Sequence, residues 1–193
     1  MIVCMNRSFI LILILSISFS RESGFSVYSG LNLANIRCNN CESETLQNFS
    51  FAPRLIIGGQ KKFDNYIVGA GISGRGTLEK HSNGVTGTNS FIYIDLHAIK
   101  PFPYGPGLVF AGLGLGFKLS AVRKVEGCAE IDGFCGEFDI EDVGIDYGLL
   151  LGYIYSINKK INIFTKYYYG LADIEDQTNA KHTGIGLGLS YGI

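Results

Sequence analysis

The chain has 193 residues, enough for one domain of ordinary size, and no linker or shift in composition marks a second. Glycine reaches 26 residues, aromatics 12%, tryptophan is absent and only 17% of residues are charged, an unusual profile for a soluble domain. The formal net charge of −1 implies no basic surface for nucleic acid.

The first predicted element, 1–20, reads as an export signal. Arg7 supplies the positive start, Phe9 to Ile17 form an apolar run, and Ser18 and Ser20 place small residues where a signal peptidase cleaves, after Ser20. The run is too short to stay as a spanning anchor. Cys4 leaves with the signal. Residues 21–193 then form the mature domain with a formal charge of −2, because Arg7 is the only charged residue removed.

Beyond residue 20 no stretch of 18 apolar residues could make a membrane helix, so a membrane crossing would have to use strands. Period-two alternation, which sends successive side chains to opposite faces, recurs eight times. It covers 25–36, 49–60, 66–78, 90–99, 107–119, 142–155, 161–172 and the C-terminal run 184–193. In the fifth segment Val109, Ala111, Leu113, Leu115, Phe117 and Leu119 alternate with Phe110, Gly112, Gly114, Gly116 and Lys118. The sixth sets Val143, Ile145, Tyr147, Leu149, Leu151, Tyr153 and Tyr155 against a face holding Asp142, Asp146 and three glycines. The last sets Ile185, Leu187, Leu189, Tyr191 and Ile193 against Gly184, Gly186, Gly188, Ser190 and Gly192. Pro53 removes a ladder donor inside the second strand, which predicts a bulge there.

Connections alternate in length. Short links fall at 61–65, 100–106 and 156–160, longer ones at 37–48, 79–89, 120–141 and 172–181. The pattern predicts an all-β, eight-stranded antiparallel transmembrane β-barrel of up-and-down topology. Short turns and both termini face the periplasm, and the long loops face outward.

The two faces predict which medium lies where. One is continuously apolar, with Tyr66, Tyr153, Tyr155, Tyr167, Tyr169 and Tyr191 toward strand ends, as interfacial girdles require. The other carries glycine with Asn32, Arg54, Arg75, Asp95, His97, Lys118, Asp142, Asp146 and Lys166. A lysine or arginine facing lipid near the midplane costs about 2–4 kcal/mol, so this second face is expected to line the lumen, where opposite charges can pair. Asp95 and Asp146, near mid-strand, are each expected to find a cation. A soluble barrel such as a lipocalin would carry the opposite sense, with Leu113, Leu115, Leu149 and Leu187 inside.

Four cysteines remain after the signal, Cys38, Cys41, Cys128 and Cys135, all in or beside predicted outer loops. An even number in an exported chain favours disulfides over free thiols, and three connectivities are open. Short separations favour local bridges, Cys38–Cys41 and Cys128–Cys135. A zinc cluster is the alternative, but the second pair does not repeat the two-residue spacing of the first.

The opening strand Gly24-Phe-Ser-Val-Tyr-Ser-Gly-Leu-Asn-Leu-Ala-Asn-Ile36, the run Tyr104-Gly-Pro-Gly-Leu-Val-Phe-Ala-Gly-Leu-Gly-Leu-Gly-Phe-Lys-Leu119 and Tyr167-Tyr-Tyr-Gly-Leu-Ala-Asp-Ile174 resemble the PorT-type outer membrane protein β-barrel domain family of Bacteroidetes-like bacteria. The resemblance spans essentially the whole mature chain. Where that family usually has Tyr-x-Glu-Ile-Pro, this chain has Tyr93-Ile-Asp-Leu-His97. The resemblance implies a fold and a location in the cell outer membrane more than an activity.

Three motifs suggest other chemistry. Val68 to Gly74 contains a G-x-G-x-x-G, but no amphipathic helix follows to receive a pyrophosphate, so Gly69 and Gly71 read as small lumen residues and no cofactor is expected. His81 and Ser82 form the pair that a lipid hydrolase at the membrane rim would need, yet neighbours on a strand point to opposite faces. Asp95 and His97 share a face and read as lumen hydrogen-bonding groups. The third long loop is acidic, with Glu126, Glu130, Asp132, Glu137, Asp139, Glu141 and Asp142 against Arg123 and Lys124; it reads first as a solvated charged loop and, as the alternative, as a site for a divalent cation, without EF-hand spacing.

The functional expectation is therefore a non-enzymatic barrel with a structural or surface-interaction role through its outer loops. The alternatives are a small pore and, further off, a lipid-modifying enzyme. Its expected partners are outer-membrane lipid and lipopolysaccharide, the outer-membrane assembly machinery, which reads a C-terminal strand of alternating apolar residues, and a protein at the outer loops. That terminal strand has the alternation but ends in Ile193 rather than an aromatic.

Overall fold

Alternating apolar and small or polar residues cannot form an amphipathic helix, and the computed structural model contains strands and no helix among its described residues, 24–38, 49–80, 84–127, 135–141, 143–174 and 179–193. The strands are β1 (Phe25–Cys38), β2 (Phe49–Lys62), β3 (Ile67–Lys80), β4 (Thr86–Tyr104), β5 (Gly107–Glu126), β6 (Gly136–Asp139), β7 (Asp146–Ser156), β8 (Ile161–Gly170) and β9 (Ala180–Gly192). Their order is β4-β3-β2-β1-β9-β8-β7-β5-β6, and pairing of β4 with β5 closes eight of them into a ring. Every pairing is antiparallel. Closure leaves no unpaired sheet edge in the wall, which a strand-built membrane protein requires.

The ninth strand departs from the expected count. Residues 120–141 read as one loop, but β5 continues to Glu126 and β6 pairs with its outer end, Val122 opposite Asp139 and Val125 opposite Gly136. Likewise 100–106 read as a link, yet β4 runs to Tyr104 and only Gly105 and Pro106 turn. Gly105 has φ +56°, the left-handed backbone that a two-residue hairpin needs at its first central position.

Two bulges adjust the wall. Between Phe51 and Ile56, β2 uses one more residue than β3 does between Ser73 and Thr77, so the extra residue falls around Pro53. The second was not expected: Ile92 pairs with Ser120 but Tyr93 with Lys118, leaving Leu119 as the extra residue. Past it the inward face of β5 passes from even to odd positions, and Ala121 is buried.

The short turns 63–66, 105–106 and 157–160 share one end with both edges of the chain's first and last strands, where the Ile193 amide donates to the Phe25 carbonyl. The interior is layered. Toward the short-turn end Ile67, Ile99, Phe110, Leu150, Ile154 and Tyr168 cluster, and toward the long-loop end Phe91, Tyr93, Ala121, Val143 and Ile174 do. Val143 corrects one expectation: alternation puts it on the outward apolar face, but it is buried with Phe91, Tyr93, Ala121 and Ile174, because β7 begins only at Asp146.

The outside is apolar. Leu55 is 75% exposed, Leu113 62%, Leu187 59% and Leu149 41%, with Leu115 on the same outward face. A wall of leucine, isoleucine and valine around a closed ring far exceeds the apolar patch that a water-soluble monomer carries.

Candidate functional site

Arg75 on β3 holds the middle of the bore. Its guanidinium Nη2 donates to Asp95 Oδ1 at 2.5 Å, and Nη1 pairs with Asp146 Oδ2. The Arg75 and Asp146 side chains are 6% and 5% exposed, so little water shields the pair. Tyr93 and Tyr168 place their rings on the guanidinium, each centroid 4.5 Å from its carbon, and the Tyr168 hydroxyl donates to Asp146 at 2.7 Å. The Ser73 hydroxyl donates to the other oxygen of Asp95 at 2.5 Å. Asn32 Nδ2 donates to the Gly74 carbonyl at 3.0 Å. Each carboxylate thus has an ionic partner and a hydroxyl donor, which is what keeps buried charge tolerable.

His182, Thr77 and Glu79 extend the buried network without a motif that marks them in the sequence. His182 is fully buried, with Nε2 3.2 Å from the Tyr93 hydroxyl and its ring edge-on to Phe91. Loop lengths put Glu79 in a loop, but β3 reaches Lys80, and the buried Glu79 carboxylate accepts from Arg123 Nη2 at 3.4 Å. Alternation past residue 78 would have found it, since Glu79 continues the inward series Ser73, Arg75, Thr77.

The other named lumen residues are less closely knit. His97 and Lys166 lie on the short-turn side of Arg75, lining with Tyr28, Gln60, Phe110 and Ser190 a cavity of about 40 Å³. Gly69 makes room there, since a Cβ at that position would lie 2.5 Å from the His97 ring. The G-x-G-x-x-G therefore belongs to a strand wall. Arg54 lies over Gly74 and Gly76, and its Nη1 donates to the Pro53 carbonyl at 3.4 Å. Lys118 was expected to meet a lumen acid, and instead its Nζ donates to the main-chain carbonyls of Ile140, at 3.4 Å, and Glu141, at 2.5 Å. The bulge at Leu119 and the returning segment 140–141 put carbonyls within its reach. Asp142 lies outside the described residues, as do His81 and Ser82, Cys41 and Cys128, the acids Glu130 and Asp132, and the signal segment 1–20.

At the long-loop end Lys124 Nζ lies 2.5 Å from Glu126, whose hydrogen bond and charge push the lysine pKa up. Among the described residues no group of three potential metal ligands comes together. At the short-turn end Lys61 sits over the Phe63 ring at 5.6 Å, Lys100 over Tyr66 at 5.9 Å and Phe102 at 5.5 Å, and Lys160 over Tyr191 at 5.6 Å.

The molecule is thus a closed antiparallel barrel, apolar outside and ionically cross-braced inside. No family model and no curated protein matches the chain. Among solved structures, Neisserial surface protein A is similar with a TM-score of 0.60 and 14% identity, covering 89% of this chain and 98% of that one. Ail, the attachment invasion locus protein of Yersinia pestis, aligns at 14% identity over 88% and 99% with a TM-score of 0.48. The outer membrane protease OmpT of Escherichia coli aligns at 9% identity over 89% and 94% with a TM-score of 0.43. The first of these likenesses shows the fold.

Proposed function

We propose that this chain is an outer-membrane β-barrel protein with a structural or surface-interaction role exerted through its long-loop end. The observation that carries this is the distribution of polarity. Leu55, Leu113 and Leu187 face out, while Arg75, Asp95 and Asp146 neutralise one another inside. In water that wall would be an aggregation surface, and in lipid it is the solvated face. A transporting role is disfavoured because the Arg75 cluster and the Phe91, Tyr93 and His182 layer lie across the bore. An eight-stranded barrel has room for its own side chains and little more.

The same reading makes lipopolysaccharide and lipid the surroundings, the outer-membrane assembly machinery the insertion partner, and a protein the ligand of the outer loops. Kinship with PorT-type barrels, local disulfides Cys38–Cys41 and Cys128–Cys135, periplasmic termini and a divalent cation on the acidic third loop are parts of this proposal. Cell fractionation with heat-modifiable gel migration tests it: the protein should sediment with outer membranes and migrate faster unboiled than boiled. Recovery in the soluble fraction would overturn it. Planar-bilayer recording separates the pore alternative, since this reading expects no steady conductance.

A further inference from the structure

The short-turn end carries a built arrangement that the lumen does not explain. Along β2, Gln60 faces in, so Lys61 faces out, and Phe63, two residues on, lies under its ammonium. Along β4, Ile99 is buried, Lys100 points out, and Phe102 again follows two residues later. Register sets Ile99 opposite Ile67, which brings Tyr66 of the preceding turn to the other side of Lys100. A third unit joins the turn 157–160 to β9, Lys160 over Tyr191. The rings involved are about half exposed, Tyr66 52%, Phe63 50%, Phe102 46% and Tyr191 46%, so each has one apolar face turned outward beside a cation.

Lys62, the last residue of β2, and Lys159 of the turn 157–160 add two more charges, and Asp64 is the single acidic side chain of residues 60–67, 99–108 and 155–162. The described opposite end is of mixed sign, with Glu126, Glu137, Asp139, Glu141 and Asp173 near Arg123, Lys124 and Lys181. A lysine stem on an aromatic ring at the edge of an apolar wall is the geometry of snorkelling: the carbons stay with the hydrocarbon while the ammonium reaches the headgroup layer. Within these three stretches five ammonium groups stand with one carboxylate side chain, an excess that favours anionic headgroups.

We propose that this rim is a binding surface for anionic phospholipid, its lysines holding lipid phosphates while Phe63, Tyr66, Phe102 and Tyr191 sit at the ester level. The inference rests on the membrane-spanning reading above and adds the chemistry of the leaflet that meets the short turns. The charge attraction of a basic residue for an anionic surface amounts to about a five-fold change in partition per lysine, and salt weakens it.

The test uses the full mature chain refolded into vesicles of phosphatidylcholine alone and of phosphatidylcholine with one quarter phosphatidylglycerol. Folding into phosphatidylcholine checks the spanning reading, and its failure there refutes that reading. With phosphatidylglycerol the wild type should fold at least about ten-fold faster, and the gain should vanish in high salt. The Lys61→Gln, Lys100→Gln, Lys160→Gln variant should fold normally in phosphatidylcholine and lose most of the gain. A Lys124→Gln, Lys181→Gln variant, altered at the other end, should keep it. Equal gains in both variants would overturn the rim assignment, as would reproduction of the gain by inorganic phosphate at matched ionic strength.

Discussion

Replacing Asp146 by leucine attacks the lumen network at its most enclosed point. Arg75 would keep Asp95, so the loss is one of two ionic partners rather than the whole pair. Breaking a buried ion pair outright costs about 3–5 kcal/mol, and half of that is roughly 2 kcal/mol. The Tyr168 hydroxyl also loses its acceptor in a buried site, adding about 1 kcal/mol. With the Arg75 and Asp146 side chains only 6% and 5% exposed, bulk solvent screens the pair little, so no large discount applies. The expected total is about 3 kcal/mol, and Asp146→Asn, which keeps an acceptor for Tyr168, should cost less. Because the chain has no tryptophan, urea unfolding in bilayers is best followed by the fraction of fast-migrating band on unheated gels. A midpoint for Asp146→Leu equal to wild type, or a larger loss for Asp146→Asn, would refute the reasoning.

Leu149→Arg puts a cation on the outer wall and should lower stability in bilayers by about 2–4 kcal/mol, measured by the same titration. An unchanged midpoint would mean that this face does not contact hydrocarbon. At Gly112 a Cβ would lie 2.1 Å from the Ala98 carbonyl oxygen, main chain that cannot step aside, so Gly112→Ala should lower the yield of the fast-migrating form. A wild-type yield would show that β4 and β5 tolerate a wider spacing. For orientation, a thiol placed by Glu137→Cys should react with an impermeant maleimide on intact cells and one placed by Asp64→Cys should not, with the reverse pattern inverting the assignment.

The fold was readable because alternation is a local signal: Leu113 and Gly114 announce their opposite faces without knowledge of any partner. What local signals cannot supply is register. That one arginine, Arg75, would take both Asp95 and Asp146 depends on how far β3, β4 and β7 are staggered around the ring, and nothing in the separate segments fixes that stagger. The bulge at Leu119 was illegible for a related reason, since no proline or glycine marks it, whereas Pro53 announced its own. Val143 escapes alternation because it precedes the first residue of β7, Asp146, and packs inward with Phe91 and Ile174. His182 and Glu79 lie at strand ends, beyond the stretches where alternation is clear, because β3 runs on to Lys80 and β9 starts at Ala180.

The central cluster also bears on how the ring closes. Arg75 and Asp95 stand on neighbouring strands, but Asp146 belongs to β7, which pairs with β5 and β8 and touches neither β3 nor β4 along the ladder. A partly assembled sheet ending before β7 brings the hairpin of β3 and β4 together with its internal pair, while Tyr168 on β8 and Asp146 on β7 arrive later as a second, hydroxyl-linked unit. Only curling of the sheet joins the halves across the lumen. Half-curled species therefore leave Asp146 without its Arg75 ion pair in a narrowing interior, and the complete cylinder does not. That difference penalises intermediates, so refolding should populate open and closed forms with little between them, and the last hairpins to arrive, rather than the first, should set the rate at which the fast-migrating band appears.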